Sequence, residues 1–346
     1  MTSPLASGEP AATRRVGRRN VAVSQLGVGT LPFGSDAPQD TDATIGDAFA
    51  AACDAGLCYF DSAPLYGLGV AEHRLGACLR TIDRRSVVLS TKVGRLLRPV
   101  AGAAVPGARA GTSPFEVAFD YGYDATLRSL EHSLQRLGTN AIDIALIHDV
   151  NRRWQGDRVE QRYREAMEGA HRALCELRAA GAIKAFGVGV NDWQILQRFA
   201  ADGDFDCFML AGRYTLLDHT SLETFMPDCE RRGISVLMAA PFNSGILATG
   251  AKAGATYFYT EADAEVMSRT KRIEAICERH HVAIAAAALQ FPLAHPAVAS
   301  VVTGMRSRRE VEANLTHCRA LIPRDFWDEL KREGLIATQA PVPSGT

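Results

Sequence analysis

The chain has 346 residues, and 47% of them are hydrophobic, enough for a large core and too many for a disordered protein. Its 38 Lys and Arg balance 39 Asp and Glu to a net charge of -1, which argues against a nucleic-acid or polyanion partner. No apolar run of about 18 residues suggests a membrane span, and the eight scattered cysteines, with no C-x-x-C pair, suit neither a zinc site nor a disulfide framework.

Residues 1–20 carry Arg14, Arg15, Arg18 and Arg19 and no apolar segment of the kind a secretory signal needs. They read as a loose, flexible tail, and with reduced thiols they give the expectation of a cytoplasmic protein. From there short apolar runs alternate with stretches of helical period. Val21–Gly29 predicts a strand, Ala43–Ala55 a helix with Asp42 as N-cap, and Leu57–Asp61 a strand. Val70–Arg80 predicts a helix, Val87–Lys92 a β-branched strand, Tyr123–Leu137 a helix stopped by Gly138, and Ile142–His148 a strand. Next come a helix at Tyr163–Ala180, a strand at Ala185–Val190, a helix at Trp193–Ala201 and a strand at Phe205–Leu210. Leu222–Arg232 predicts a helix and Ser235–Ala239 a strand, followed by helices at Ala262–Arg279 and Ala283–Leu293. A strand at Val298–Thr303 and a helix at Arg308–His317 complete the series.

Eight strands, each followed by at least one helix, with no shift of composition between them, fit a single-domain (β/α)₈ barrel over residues 21–335. Residues 336–346, with Pro341 and Pro343, read as a flexible tail. Two loops are long, Gly94–Phe119 and Asp149–Gln161, and both follow strands, which places them on the C-terminal face of a barrel. The glycine pairs Gly27/Gly29, Gly67/Gly69 and Gly187/Gly189 all lack the third glycine of a dinucleotide-binding Rossmann turn. No P-loop and no nucleophile elbow occurs.

Four polar residues stand out by position. Asp61 ends the second predicted strand, Tyr66 lies in the loop after it, Lys92 ends the third strand and His148 the fourth. In a barrel these ends converge on one mouth. Lys92 and Asp61 would be partly buried and would pair. A phenol beside that cation would ionise more easily than one of reference pKa about 10, which makes Tyr66 a usable acid/base. Each residue alone has a plain structural reading, Asp61 and Lys92 as a buried ion pair and His148 as a satisfied core histidine. The four together at adjacent strand ends point to catalysis.

Leu26-Gly-Val-Gly-Thr30, Tyr59-Phe-Asp-Ser-Ala-Pro-Leu-Tyr-Gly67, Ser90-Thr-Lys92, Leu146-Ile-His148 and the stretch Gly181 through Gly189 resemble the aldo-keto reductases, from about Val21 to Leu321. The resemblance implies the (β/α)₈ barrel and an NAD or NADP cofactor bound without a Rossmann fold. It makes Tyr66 the general acid/base, Lys92 and Asp61 its tuning pair, and His148 the group that orients the substrate oxygen. It places Gly29, Thr30, Asp61 and Tyr214 at the cofactor, and Asn191 at the carboxamide. Phe242, Asn243, Ser244 and Gly245 would lie at the pyrophosphate, and Gly304, Arg306, Ser307, Glu310 and Asn314 at the adenosine end. Departures from the family pattern are Val190, Ala211 and Ala239 near the nicotinamide, and Gly304 and Glu310 where a 2′-phosphate would sit. A carboxylate at 310 disfavours that phosphate, so NAD is expected over NADP, with Arg306, Arg308 and Arg309 as possible compensators.

Leu210 through Leu217 and Ala240 through Leu247 are similar to the sugar 1-dehydrogenase branch of that family. This implies oxidation of an aldose of the L-fucose, D-arabinose or L-galactose type at C1 to a lactone. The alternatives are lactone formation from pyridoxal and NADPH-dependent reduction of simple aldehydes and ketones. Substrate walls are expected from Leu31–Phe33, Leu65, the 94–119 loop, Trp154 and Trp193. A non-catalytic nicotinamide-binding subunit and a metal-dependent barrel hydrolase are the readings from other classes. The second lacks clustered metal ligands. No heptads occur, and the sequence assigns no oligomeric state.

Overall fold

The computed structural model describes residues 9–100 and 114–344. Eight parallel strands close into a barrel: β1 Leu26–Gly29, β2 Tyr59–Asp61, β3 Val88–Val93, β4 Ile144–His148, β5 Ala185–Val190, β6 Cys207–Ala211, β7 Ser235–Ala239 and β8 Val298–Gly304. They neighbour one another in chain order, and β8 closes on β1. The expected (β/α)₈ architecture is what forms.

Alternation along each strand separates two cores. Outward residues such as Phe60, Leu89, Ile147, Phe186 and Phe208 pack against the surrounding helices. Inward residues Tyr59, Ile144, Leu146, Ala185, Cys207, Met209, Leu237 and Val302 fill the barrel. The same alternation carries Asp61, two residues after Tyr59, and His148, two after Leu146, into the topmost inward layer. Lys92 pairs in register with Leu146, and His148 with Gly189. Gly187 sits where the barrel is tightest: a Cβ there would lie 1.8 Å from the Cys207 carbonyl oxygen.

Four sequence expectations change. Residues 9–20 are no loose tail: Thr13–Arg15 pairs antiparallel with Ala22–Ser24, so the expected first strand is broken at Gln25. Val16, Val21 and Val23 of this hairpin join the barrel-filling cluster. Arg14 donates to the Val298 carbonyl at 2.6 Å, and Arg19 to Asp206 at 2.5 Å, so the hairpin stoppers the N-terminal end. At the other terminus, Leu335, Ile336 and Ala340 are buried and Val342 packs on the core, so residues 336–344 are seated rather than loose. The first helix is capped by Thr41, whose hydroxyl accepts from the Thr44 amide, and Asp42 is its first residue. A last helix, Arg324–Arg332, absent from the sequence prediction, buries Phe326, Trp327 and Leu330.

The long loops have structure of their own. Arg95–Pro99 pairs antiparallel with Phe115–Phe119, and Arg152–Gln155 forms a helical turn capped by Asn151. Residues 101–113 of the first loop lie outside the described residues. Among the described residues no helix is long and apolar enough to cross a membrane.

Because the atom a Cβ at Gly187 would meet is backbone, Gly187→Ala should cost about 1–3 kcal/mol or more through overpacking. The urea midpoint would fall with little change in slope.

Candidate active site

The Lys92 ammonium is at the centre. Its Nζ donates to Asp61 Oδ2 at 2.6 Å, to the Ser62 carbonyl at 2.9 Å and to the Tyr66 hydroxyl at 3.1 Å. Its side chain is 2% exposed and that of Asp61 is 3%, so the pair is enclosed. The other Asp61 oxygen accepts from Ser90 Oγ at 2.7 Å, and Tyr59 meets the same hydroxyl at 2.9 Å. Tyr66 is brought over Lys92 by a close backbone crossing. Gly67 has φ +60°, and a Cβ there would lie 2.3 Å from the Gly34 carbonyl oxygen; a Cβ on Gly34 would in turn hit the Gly67 amide at 2.5 Å. Two facing glycines thus let the Tyr66 loop press against the turn after β1.

His148 stands edge-on to the Tyr66 ring, with centroids 6.4 Å apart and planes at 88°. The Tyr121 hydroxyl donates to its carbonyl at 2.7 Å. Its Nε2 lies 3.2 Å from Asp149 Oδ2, which pairs with an Arg95 terminal nitrogen at 2.6 Å. Burial, reinforced by Lys92 and Arg95, holds His148 well below 6.5, so the imidazole is neutral at physiological pH. For Lys92, burial opposes the charge, yet Asp61 and Tyr66 hold its pKa above the ordinary value. The expectation of an easily ionised Tyr66 is corrected: burial pushes the phenol up to about 12, outweighing the downward pull of Lys92. The cation assists, but the dry site dominates.

These groups line a cavity of about 450 Å³, of a size for a small molecule. Its floor is small: Gly29, Gly189, Ala211, Ala239 and Gly304 contribute little bulk. Val190 and Asn191 also line it, and Asn191 is held by a 2.8 Å hydrogen bond from Asn151. Beyond the floor, Ala240, Asn243, Ser244 and Gly245 all have positive φ, a backbone geometry that turns amides toward an anion. Among the described residues, Asn243 Oδ1 is buried there without a partner. Ser307 caps the helix Arg308–Arg319, its hydroxyl accepting from the Glu310 amide. The flat small-residue floor, the turned amides and the capped helix fit a nicotinamide dinucleotide.

Other expected site residues do not line this cavity. Tyr214 is fully buried, 5.3 Å from the Phe291 ring, and does not face the cavity. The chain turns at Gly212, so Arg213 reaches Asn191 while Tyr214 enters the core. Thr30 is buried, its amide donating to the Asp61 carbonyl. Phe242 packs against the core, Ser244 accepts from the Tyr259 amide, and Asn314 lies on the buried face of its helix. Of the expected substrate walls, Leu31, Pro32, Leu65 and Trp154 line the cavity. Phe33 is buried, and Trp193 instead bonds Thr220. Sequence reasoning passed over five lining residues, Asp149, Arg153, Met209, Tyr259 and Val302. For the first two a signal existed, because they open the polar loop that follows His148.

A phenol, an ammonium and a neutral imidazole thus meet at a cavity of small-molecule size. The aldo/keto reductase family matches residues 25–333, and the chain belongs to that family. It is 43% identical to a pyridoxal 4-dehydrogenase of Microbacterium luteolum, over 94% of this chain and 98% of that one. It is 36% identical to a D-threo-aldose 1-dehydrogenase of a Pseudomonas species, over 96% and 100% respectively. The fold is shared with the holo form of an aldo-keto reductase from Bacillus halodurans, at TM-score 0.73 and 22% identity, covering 96% of this chain and 98% of that one.

Tyr66→Phe should lower kcat by about 10²–10⁴, the usual contribution of a positioned acid/base, and cost about 1–3 kcal/mol of stability by removing one of the three acceptors of the buried Lys92 ammonium. Lys92→Met should both lower kcat and destabilise the fold by about 3–5 kcal/mol, because it strands Asp61 as a buried, unpaired charge. The depressed pKa of His148 means that the folded state resists protonation. Its stabilising effect is present above pH 6.5 and is lost as pH falls. Urea titrations should therefore show the wild type losing more stability than His148→Gln between pH 6.5 and 5.

Proposed function

We propose that the protein oxidises the hemiacetal carbon of a cyclic aldose, of the L-fucose, D-arabinose or L-galactose type, at C1 to the lactone, with NAD as cofactor. The observation that carries this reading is the pair of full-length relatives at 43% and 36% identity, both named as dehydrogenases. Pyridoxal and aldoses each exist as cyclic hemiacetals, so one site chemistry serves both. The higher identity to the pyridoxal enzyme favours pyridoxal as a second reading.

When bound, the nicotinamide supplies the hydride acceptor. The chain's own groups handle the proton and the geometry. His148, kept neutral, donates a hydrogen bond to the substrate oxygen and fixes it beside Tyr66. Tyr66 takes the hydroxyl proton as the carbon is oxidised, and Lys92 at 3.1 Å steadies the phenolate that this requires. Asp61 keeps Lys92 charged and in place. In reduction the same phenol, which holds its proton up to about 12, gives it to the carbonyl oxygen.

NAD is favoured by the pairing around Glu310. Its carboxylate accepts from the Arg306 amide at 2.8 Å and faces the Arg306 guanidinium at 3.3 Å, while Ser307 accepts from the Glu310 amide. This reciprocal cap commits the acid to the helix end. Arg306 also faces Asp40, and Arg308 is paired with Asp47 at 2.8 Å, so two of the three expected compensators already face carboxylates.

Initial rates of nicotinamide reduction, with NAD and NADP each tested against L-fucose, D-arabinose, L-galactose and pyridoxal, should show fast sugar oxidation with NAD. A signal with pyridoxal alone would move the substrate, and silence with all four beside NADPH-linked aldehyde reduction would overturn the reading. Glu310→Gln keeps the cap and removes the charge. It should raise kcat/KM for NADP about fivefold at low salt, the effect of one charge at contact distance in water, and leave NAD unchanged.

A further inference from the structure

One buried charge beside the reacting atoms has no part in the mechanism above. Asp149 follows His148 with a left-handed backbone, φ +56°, which turns its carboxylate back into the cavity. That side chain is 11% exposed. Arg95 holds it from the hairpin after β3, with its own side chain only 2% exposed. The guanidinium is sandwiched by Trp154 at 4.3 Å and Phe119 at 4.9 Å. Gln155 braces the Asp149 carbonyl at 3.1 Å. Taking two ions out of water and turning a residue left-handed both work against stability, and such expense at a cavity wall points to a ligand.

The geometry limits what that ligand is. A reacting oxygen must come within about 3 Å of both the Tyr66 hydroxyl and His148 Nε2. Asp149 Oδ2 is 3.2 Å from the same Nε2. Oxygens on adjacent carbons lie about one hydrogen-bond length apart, so a hydroxyl next to the reacting carbon meets this carboxylate. An ionised carboxylate only accepts, and a neutral hydroxyl is the donor that matches it. A substrate without that hydroxyl would set an apolar group against a buried charge.

We propose that Asp149, held by Arg95, is a specificity-determining residue that accepts a hydrogen bond from the hydroxyl on the carbon next to the reacting one. The site thereby selects 2-hydroxy carbonyl compounds and their cyclic hemiacetals over simple aldehydes. The inference rests on the proposed aldose chemistry for its natural substrate, but not for its test.

The charged and titratable groups facing Asp149 are Arg95 from the hairpin, Lys92 from β3, Arg153 from the turn after β4, neutral His148, and the phenols of Tyr66, Tyr121 and Tyr259. Burial lifts its carboxyl to about 6 against the pull of the three cations. Recognition should therefore fade as the pH falls below about 6.

The test compares lactaldehyde with propanal, two aldehydes that differ by the 2-hydroxyl, as substrates for reduction with NADH. The wild type should prefer lactaldehyde by at least about tenfold in kcat/KM, as expected for a hydrogen bond to a charged group. Asp149→Gly, which accepts the left-handed backbone, should lose that preference through lactaldehyde alone. Asp149→Asn keeps an acceptor and should retain part of the preference, but without the acidic limb of the pH profile. Arg95→Met should move that limb to higher pH. Thermal melts establish that each variant is folded, and Arg95→Met carries the test if the Asp149 variants are not. Equal losses on both aldehydes, an unchanged ratio, or a limb that does not respond to Arg95→Met would overturn the proposal. If no aldose is oxidised yet the Asp149-dependent preference holds, the aldose reading falls and this inference stands.

Discussion

The ion pair between Lys92 and Asp61 is the constraint on which the catalytic end of this barrel depends. Two full charges are enclosed at the top of the barrel interior, and neither is tolerable there without the other. Each remaining feature of the site follows from satisfying them. The second Asp61 oxygen needs a donor, and Ser90 supplies it, backed by Tyr59. The ammonium needs further acceptors, and the Ser62 carbonyl and the Tyr66 hydroxyl provide them. The Tyr66 phenol is therefore a structural ligand of the lysine, and its position is fixed before any substrate arrives.

The same enclosure sets the protonation states. Burial raises the phenol, lowers the imidazole and raises the Asp149 carboxyl; the neighbouring cations oppose burial at Tyr66 and Asp149 and reinforce it at His148. For Tyr66, burial wins. A pairwise argument from a neighbouring cation captures the sign of one effect and misses the larger one, because a linear sequence conveys which groups are near more readily than how dry they are.

Much of the barrel was legible because strand and helix periods differ so clearly. All eight strands could be read from short apolar runs, and the mouth from Asp61, Lys92 and His148 at the ends of three of them. The N-terminal hairpin was not, since its basic residues advertise solvent while Val16, Val21 and Val23 are too sparse to form a run. Tyr214 misled for a related reason: its neighbours carry the family resemblance, but a left-handed Gly212 swings the ring into the core. Arg95 and Asp149 were missed as a pair because they come from different loops, 54 positions apart in the chain, and only the closed barrel brings them together.

The hairpin has a consequence for how the chain reaches this state. Arg14 bonds Val298 at a separation of 284 positions, Gly17 bonds Ser235 at 218, and Arg19 bonds Asp206 at 187. These are among the longest loops that the molecule closes, and nonlocal contacts of this kind form slowly. During synthesis the stopper emerges first, yet its docking surface is completed only when the last barrel strand appears. Until then Val16, Val21 and Val23 have no interior to enter. The open lower end of a nascent barrel is thus where aggregation or chaperone engagement would concentrate. The hairpin thus covers the lower end of a barrel whose wall is already closed by the pairing of β8 with β1.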